Sequence, residues 1–320
     1  MTDPVLSFYR MALRFRAEEP VAFAPGQAAN RIRGGFGMTL KRLACLPDCE
    51  DAKTCAARTG CLYARLFEPS AEPGQAPSGF RDLPRPFVLR PWSLDGRRFA
   101  AGQTFSFCVH VFETRQPELV TEMVPVFAHW AATALGREWG AARLVSATLL
   151  DLSGAAIAPV FDGRQMLAPP LPPPLQIPLL GAEAGVTRLR VHFATPVDLK
   201  GEGFSAEAPG FGTLFARLRD RLSSLSSHYG GGPLDLPFRE MGERARLVEC
   251  REASLRPGGG VRMSGRTGQR HYLTGLLGEV EYEGSLDEFL PWLRAGEWTG
   301  VGRHTVWGLG QIRVLSAGGG

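Results

Sequence analysis

The chain has little that would direct it to a membrane or to an oxidising compartment. No window of its 320 residues approaches 18 uninterrupted apolar residues, so no transmembrane helix is expected. Its first residues carry acid and base within a strand-like run. They lack the basic stretch and the long apolar core of a signal peptide, which predicts a cytoplasmic protein. The 6 cysteines are then expected to stay reduced.

What the chain does have is the composition of an ordinary globular protein. Its apolar share of 44% is enough for a sizeable core, and its length of 320 residues favours two domains over one. The net charge of +4 is small and indicates an anionic partner only weakly. Residues 168–175 are rich in proline and predict a stiff, extended spacer. We therefore predict a first domain at 1–185 and a second at 186–320.

Hydrophobic periodicity in the second domain predicts an α+β fold. A capping box of Ser285 and Glu288 marks the start of a short helix. The resulting order, βαββαβ, is the ferredoxin-like arrangement, and the first domain opens in the same order. The predicted strands lie at 187–193, 245–254, 272–282 and 308–314, and the long helix lies at 212–227.

The sharpest local signal is the segment GVGRHTVWGLG at 300–310, in which Arg303 and His304 stand between two GxG pairs. Glycines at this spacing let main-chain N–H groups turn toward an anion, and Arg303 adds a permanently charged phosphate donor. The segment follows a predicted helix and leads into a strand, whereas a dinucleotide fingerprint follows a strand and opens a helix. Nicotinamide or flavin binding is therefore disfavoured, and the Gly-Lys-Ser/Thr of a Walker loop is missing.

Basic side chains are separated from acidic ones near this segment. Residues 261–274 contain three arginines and a histidine, and residues 301–315 contain two arginines and a histidine; neither stretch has an acid. Such segregation creates a local positive field. Arg262, Arg266 and Arg270 recur at even spacing, so on one strand they would share a face that can follow a phosphate backbone.

These features together resemble the CRISPR-associated endoribonucleases of the RAMP superfamily, which process precursor crRNA. The family's C-terminal pattern is a basic strand, a glycine-containing strand, a short helix and a G-x-G-basic-x-T-x-x-G-x-G loop. The matching segments here begin at Arg262, Gly275, Phe289 and Gly300. Near the N-terminus, RGGFGMTLKRL at 33–43 and YARLFEP at 63–69 resemble the region of the family's first helix. The middle of the chain matches in element order only.

The resemblance implies an α+β protein with two tandem ferredoxin-like modules that clamp a CRISPR repeat RNA. It implies cleavage by the RNA's own 2′-hydroxyl, with no cofactor for catalysis. The expected partners are the repeat RNA or crRNA and other Cas effector subunits, with no membrane. The residues expected to bind RNA are Arg31, Arg33, Arg42, Arg262, Arg266, Arg270, Gly300, Gly302, Arg303, Gly308 and Gly310.

Three glycines interrupt the first helix, which has an apolar face. Each costs about 1 kcal/mol of helix stability relative to alanine. We expect them to allow close approach of another backbone, either a packed strand or an RNA phosphate. The apolar face consists of Ile32, Phe36, Leu40 and Leu43, and the glycines are Gly34, Gly35 and Gly37.

The catalytic residues are harder to assign, because many family members have a histidine at the first helix and residues 21–45 contain none. His304 is the first candidate for proton transfer and His271 is the second, since an imidazole titrates near neutrality. Lys41 could serve only with a depressed pKa. A non-cutting RAMP subunit that caps the 3′ hairpin of crRNA is therefore an alternative, and a metabolic enzyme with a nucleotide loop is a more remote one.

Four of the six cysteines fall in one loop, at 45–61, with the spacing C-x3-C-x5-C-x5-C. In a reducing compartment they supply the thiolates of a tetrahedral zinc site, and with all four positions filled that site would be structural. Free thiols in a partly buried loop are the alternative. The candidate ligands are Cys45, Cys49, Cys55 and Cys61, in a loop that is inserted in the first module.

Overall fold

The computed structural model has two compact units, Phe8–Leu175 and Met1–Ser7 with Gln176–Gly320. Both are mixed α and β structures with antiparallel sheets. For residues 261–263 and 270–272 only the backbone is described. The structure describes residues 3–46, 49, 52, 54–70, 83–133, 135, 140–167, 170–181, 185–199, 208–263 and 270–318.

The first sheet has the strand order β3-β5-β1-β6-β7, with antiparallel neighbours. The short strands β2 and β4 pair with each other. A further strand, β8, follows at Leu175–Pro178. The elements before it are β1 Val5–Ala17, β2 Val21–Ala22, α1 Ala28–Ala44, α2 Leu62–Phe67, β3 Phe87–Arg90, β4 Arg98–Phe99, β5 Thr104–Val111, α3 Glu118–Thr133, β6 Ala142–Leu150 and β7 Ala156–Phe161.

Buried and exposed side chains alternate along β1, which gives the first sheet a core-facing side. Met11, Leu13, Phe15 and Ala17 are buried. Arg14 and Arg16, which alternate with the last three of them, are exposed, as the two-residue period of a strand requires. Helix α1 buries Phe36 against α3, where the rings of Phe36 and Phe127 stack with their centroids 4.1 Å apart. The predicted apolar face of α1 is confirmed at Ile32, Phe36 and Leu40, but Leu43 is 54% exposed near the helix end.

Two of the three glycines in α1 are required by packing against side chains rather than against a backbone. A Cβ at Gly35 would lie 2.0 Å from Nε1 of Trp130, and one at Gly37 would lie 2.7 Å from the ring of Phe67. A Cβ at Gly34 would meet nothing within 4 Å. The expected backbone contact is therefore wrong for Gly35 and Gly37, while Gly34 faces open space.

The second sheet has the order β10-β11-β9-β12, again with antiparallel neighbours. Counted along the chain this is second-third-first-fourth, the order of a ferredoxin-like sheet, and the helices complete the pattern βαββαβ. The elements are β9 Arg188–Val197, α4 Phe211–Tyr229, α5 Phe238–Ala245, β10 Glu249–Met263, β11 Arg270–Glu283, α6 Leu290–Thr299 and β12 Ile312–Gly318.

Two local predictions in this unit are wrong. The predicted capping box does not form, because α6 begins at Leu290, five residues after Ser285, and Phe289 flanks it without a side-chain cap. Pro291 stands in the first turn, where a fixed φ favours helix initiation. The strands predicted at 245–254 and 272–282 are also too short: the glycine-rich residues after 254 belong to β10, which pairs with β11 as far as Met263 and Arg270. Close strand pairing requires glycine there, since a Cβ at Gly259 would lie 1.9 Å from the carbonyl oxygen of Leu273. Among the described helices, none has the length and apolar character needed to cross a bilayer.

Candidate functional site

The glycine-rich segment 300–310 connects α6 to β12 and is folded back on its own backbone. Its glycines at 300, 302, 308 and 310 all have φ between +71° and +78°, a region that favours glycine. A Cβ at Gly302 would lie 2.3 Å from the carbonyl oxygen of Asp198, and one at Gly310 would lie 2.1 Å from that of Val301. Close approach of two chain segments therefore explains these two glycines.

The same packing occupies most of the loop's main-chain donors. The amide of Val301 donates to Gly310 O at 2.8 Å, and the amide of Gly310 donates to Pro196 O at 2.9 Å. The amides of Gly300 and Gly308 also donate within the protein. For these four amides the expectation that they face an anion is wrong, because their hydrogens are already bonded. Binding of RNA by the glycines stays a prediction.

Arg303 and His304 form the polar tip of the loop. The Arg303 side chain is 51% exposed, and its Nη1 lies 3.4 Å from Oδ2 of Asp198. His304 is half-buried, and its ring centroid lies 5.5 Å from that of Trp307. Its φ of 63° makes it the one non-glycine residue with positive φ in the described part of the chain. A left-handed non-glycine residue is strained by about 1–3 kcal/mol, and such strain often marks a functional position.

The described ends of the basic segment, residues 262–263 and 270–271, lie where the pairing of β10 with β11 ends. Arg262 pairs with His271, and Met263 pairs with Arg270, so the two arginines belong to different strands. The prediction that Arg262 and Arg270 share a face of one strand is therefore wrong. Arg266 lies outside the described residues. In the sheet order β10 is an edge strand, and it is exposed along much of its length.

In the first unit the predicted residues line α1. Arg31 and Arg42 are exposed, and with Gly34 and Met38 they recur at spacings of three and four on its solvent face. Arg33 turns inward instead, with its guanidinium carbon 5.0 Å from the ring centroid of Phe67.

Lys41 is placed beside an aromatic residue that the sequence did not single out. Its Nζ lies 5.9 Å from the ring centroid of Tyr63, and the Tyr63 hydroxyl donates to Oε1 of Glu68 at 3.3 Å. Burial, with the nearby Glu68 carboxylate, raises the pKa of Tyr63 to about 12. Near neutrality Tyr63 is therefore a hydrogen-bond donor and a packing partner rather than a base. The sequence signal for Tyr63 was its position in the segment YARLFEP at 63–69, which resembles the region of the family's first helix.

The cysteine loop runs between α1 and α2. Cys45 follows the last residue of α1, and Cys61 precedes the first residue of α2. Cys49 and Cys55 lie in the loop between them, and all four are half-buried and free of disulfides. Among the described residues, no three His, Cys, Asp or Glu side chains are already arranged to hold a metal ion.

Comparisons with known proteins agree with this architecture. Residues 191–312 match the family model for CRISPR-associated endoribonuclease Cas6, and residues 6–172 match the model of an N-terminal domain, AF_1859_N. No curated protein matches the chain significantly.

Solved structures show the same fold over almost the whole chain. Thermus thermophilus Cas6 (TTHB231) is 18% identical with a TM-score of 0.53, covering 97% of this chain and 99% of that one. A TTHB231 product complex is 19% identical with a TM-score of 0.52, covering 97% and 100%. A partial Cas6-RT-Cas1–Cas2 complex is 12% identical with a TM-score of 0.53, covering 99% of this chain and 47% of that one.

The antiparallel α+β fold is the fold of the solved Cas6 structures. Residues 6–172, just over half of the chain, belong to the family of the AF_1859_N N-terminal domain, and residues 191–312 match the model for CRISPR-associated endoribonuclease Cas6.

Proposed function

We propose that this protein binds CRISPR repeat RNA and cuts precursor crRNA within it. The observation that carries the proposal is the Cas6 match over residues 191–312, which includes the basic hairpin and the loop at 300–310. The exposed edge strand and the Arg303 side chain offer donors for a phosphate backbone. The TTHB231 protein was solved as a product complex, which supports the same class of ligand here.

The proposed domain architecture is two tandem ferredoxin-like modules, 1–185 and 186–320, with the cysteine loop inserted in the first. Both sheets support this arrangement, because β3-β5-β1-β6 has the same second-third-first-fourth order as β10-β11-β9-β12. Repeat RNA would be held by both modules. In the first module, the exposed face of α1 presents arginines on either side of Gly34, where a phosphate could approach the helix closely.

The proposed reaction is attack of the RNA's own 2′-hydroxyl on the adjacent phosphate. It leaves a 2′,3′-cyclic phosphate and a 5′-hydroxyl. The step needs a base for the 2′-hydroxyl, an acid for the leaving 5′-oxygen, and a cation beside the phosphorane. None of these roles requires a metal ion.

His304 remains the first candidate for proton transfer. It combines an imidazole with a strained backbone at the tip of the loop, next to the exposed guanidinium of Arg303. His271, on β11, is the second candidate, and Lys41 is the third. Lys41 belongs to the other unit and faces Tyr63.

A specific observation keeps a second function in view. No histidine lies on α1, and Arg303 is partly neutralised by Asp198. A non-catalytic subunit that caps the 3′ hairpin of crRNA within an effector complex would need RNA contacts but no proton transfer. The Cas6-RT-Cas1–Cas2 complex supports other Cas proteins as partners in either case.

Incubation with the labelled repeat hairpin separates the two functions. Cleavage at one position in the repeat, together with retention of one product, supports a processing enzyme. Tight binding of the hairpin with no cleavage, under conditions where added product also binds, supports the capping subunit. Absence of RNA binding would contradict both.

A further inference from the structure

Each cysteine of the loop at 45–61 is held at a turn of the backbone. The amide of Cys45 donates to Lys41 O at 3.0 Å as α1 ends, and Cys61 O accepts from the amide of Arg65 at 3.0 Å as α2 begins. Cys49 closes a turn to Leu46 O at 3.0 Å, and Cys55 O accepts from the amide of Arg58 at 3.1 Å. Each of the four cysteines therefore lies at a helix end or at a described backbone turn.

The four thiols lie near enough to influence one another. Besides burial, Cys61 and Cys49 both raise the pKa of the Cys45 thiol, and Cys55 raises that of the Cys49 thiol. Among the described residues, no three of these side chains are yet arranged as metal ligands.

We propose that these four thiols bind one Zn²⁺ ion in a tetrahedral site with structural function. In such a site Zn–S bonds of about 2.3 Å place neighbouring sulfurs about 3.8 Å apart. Binding would therefore need these side chains to rotate until the four sulfurs reach that spacing. One Zn²⁺ would replace four thiol protons and leave all four positions filled.

The crowding of the loop thiols raises the pKa values of two of them. Burial, with the neighbouring Cys61 and Cys49, raises the pKa of the Cys45 thiol to about 11. Burial and the Cys55 thiol likewise raise the pKa of Cys49. Adjacent thiolates repel one another without a cation, and a bound Zn²⁺ removes that penalty by deprotonating its ligands outright.

Zinc binding would cross-link two helices. Zinc would join the end of α1 to the start of α2, and these helices carry the contacts between Lys41 and Tyr63 and between Arg33 and Phe67. The zinc ion itself would take no part in RNA cleavage. The inference is independent of the proposed function, because zinc content can be measured without RNA.

The test is elemental analysis of the full-length protein, purified under reducing conditions without an immobilised-metal column. We expect about one zinc per chain and loss of that equivalent in Cys49→Ser. The matched control Cys250→Ser, in an exposed cysteine outside the loop, should retain it. Because Cys49→Ser could fail to fold, the wild-type apoprotein is also titrated with Co²⁺, which should give thiolate-to-cobalt charge-transfer bands at one equivalent.

Absence of bound metal from the wild-type protein, with no Co²⁺ spectrum and with the four loop thiols alkylated by iodoacetamide in the native state, would overturn the proposal. Iron in place of zinc would overturn the identity of the metal. Equal zinc loss in Cys250→Ser would overturn the assignment of the ligands. If the protein holds one zinc ion but does not cleave RNA, that result contradicts only the proposed function.

Discussion

Arg303 is bonded to Asp198 through both its backbone and its side chain. Its amide donates to the carbonyl oxygen of Asp198 at 2.9 Å, and its guanidinium Nη1 lies 3.4 Å from the carboxylate Oδ2. The backbone bond fixes the tip of the glycine-rich loop, while the ion pair competes with any phosphate for the same guanidinium. An exposed ion pair of this kind contributes little to stability, about 0–1 kcal/mol, so a phosphate can displace it at small cost.

Arg303→Ala should weaken repeat-RNA binding and lower the slope of log K against log salt by roughly 0.7 to 0.9, the value for one lost phosphate contact. The measurement is fluorescence anisotropy over a range of salt concentrations. Arg239→Ala is a matched control, since Arg239 is an exposed arginine on α5 paired with Glu243. An unchanged slope for Arg303→Ala would place the RNA elsewhere.

Asp198→Asn should have the opposite effect on the same binding curves. The amide side chain preserves the shape of Asp198 but removes the charge that competes for Arg303, so RNA affinity should rise, most clearly at low salt. The double variant Asp198→Asn with Arg303→Ala should lose most of this gain. If the gain persists without Arg303, it reflects general charge rather than release of this guanidinium.

His304→Asn should slow single-turnover cleavage of repeat RNA by on the order of 100-fold or more, the scale for losing a general acid or base. Asparagine tolerates the left-handed backbone found at this position, so the loop should keep its shape and RNA affinity should change little. His192→Ala is the control, at a half-buried histidine on β9 whose Nδ1 lies 3.8 Å from Oε1 of Glu279. Cleavage at the wild-type rate in His304→Asn would move proton transfer to His271, to Lys41 or to the RNA itself.

Gly34→Ala and Gly35→Ala should change stability in opposite directions. Alanine at Gly34 meets open space and should raise the free energy of unfolding by about 0.5–1 kcal/mol through helix propensity. Alanine at Gly35 would collide with Trp130 and should lower it by about 1–3 kcal/mol. Urea unfolding of both variants measures this.

Gly34→Ala also tests whether RNA binds the exposed face of α1. If a phosphate approaches Gly34, the more stable Gly34→Ala variant should bind RNA more weakly than the wild-type protein. Unchanged RNA affinity in that variant would remove α1 from the proposed RNA-binding surface.

Periodic apolar patterns predicted most of the fold, and the exceptions have physical causes. Ile32, Phe36 and Leu40 were predicted to be buried on α1, and each is at most 1% exposed. Helix α5 was missed because its sequence, FREMGERA, is mostly polar and buries only Met241 and Ala245. A helix that covers the core with two residues gives too weak a period to detect.

The candidate site was less predictable, because it depends on contacts between distant segments. Gly34 and Gly35 are neighbours with the same local sequence signal, yet only Gly35 is packed against Trp130. Likewise, the position of Tyr63 against Lys41 follows from the packing of α2, not from sequence spacing. The strained backbone of His304 shows only in the folded loop.

The most direct test of the account is cleavage of labelled repeat RNA in excess EDTA, with and without a single 2′-deoxy substitution at the cut site. We predict that the all-ribose RNA is cut in EDTA and yields a 2′,3′-cyclic phosphate, whereas the deoxy RNA binds equally well and stays intact. Cleavage of the deoxy RNA, or cleavage that stops in EDTA and returns with added divalent metal, would contradict attack by the RNA's own hydroxyl.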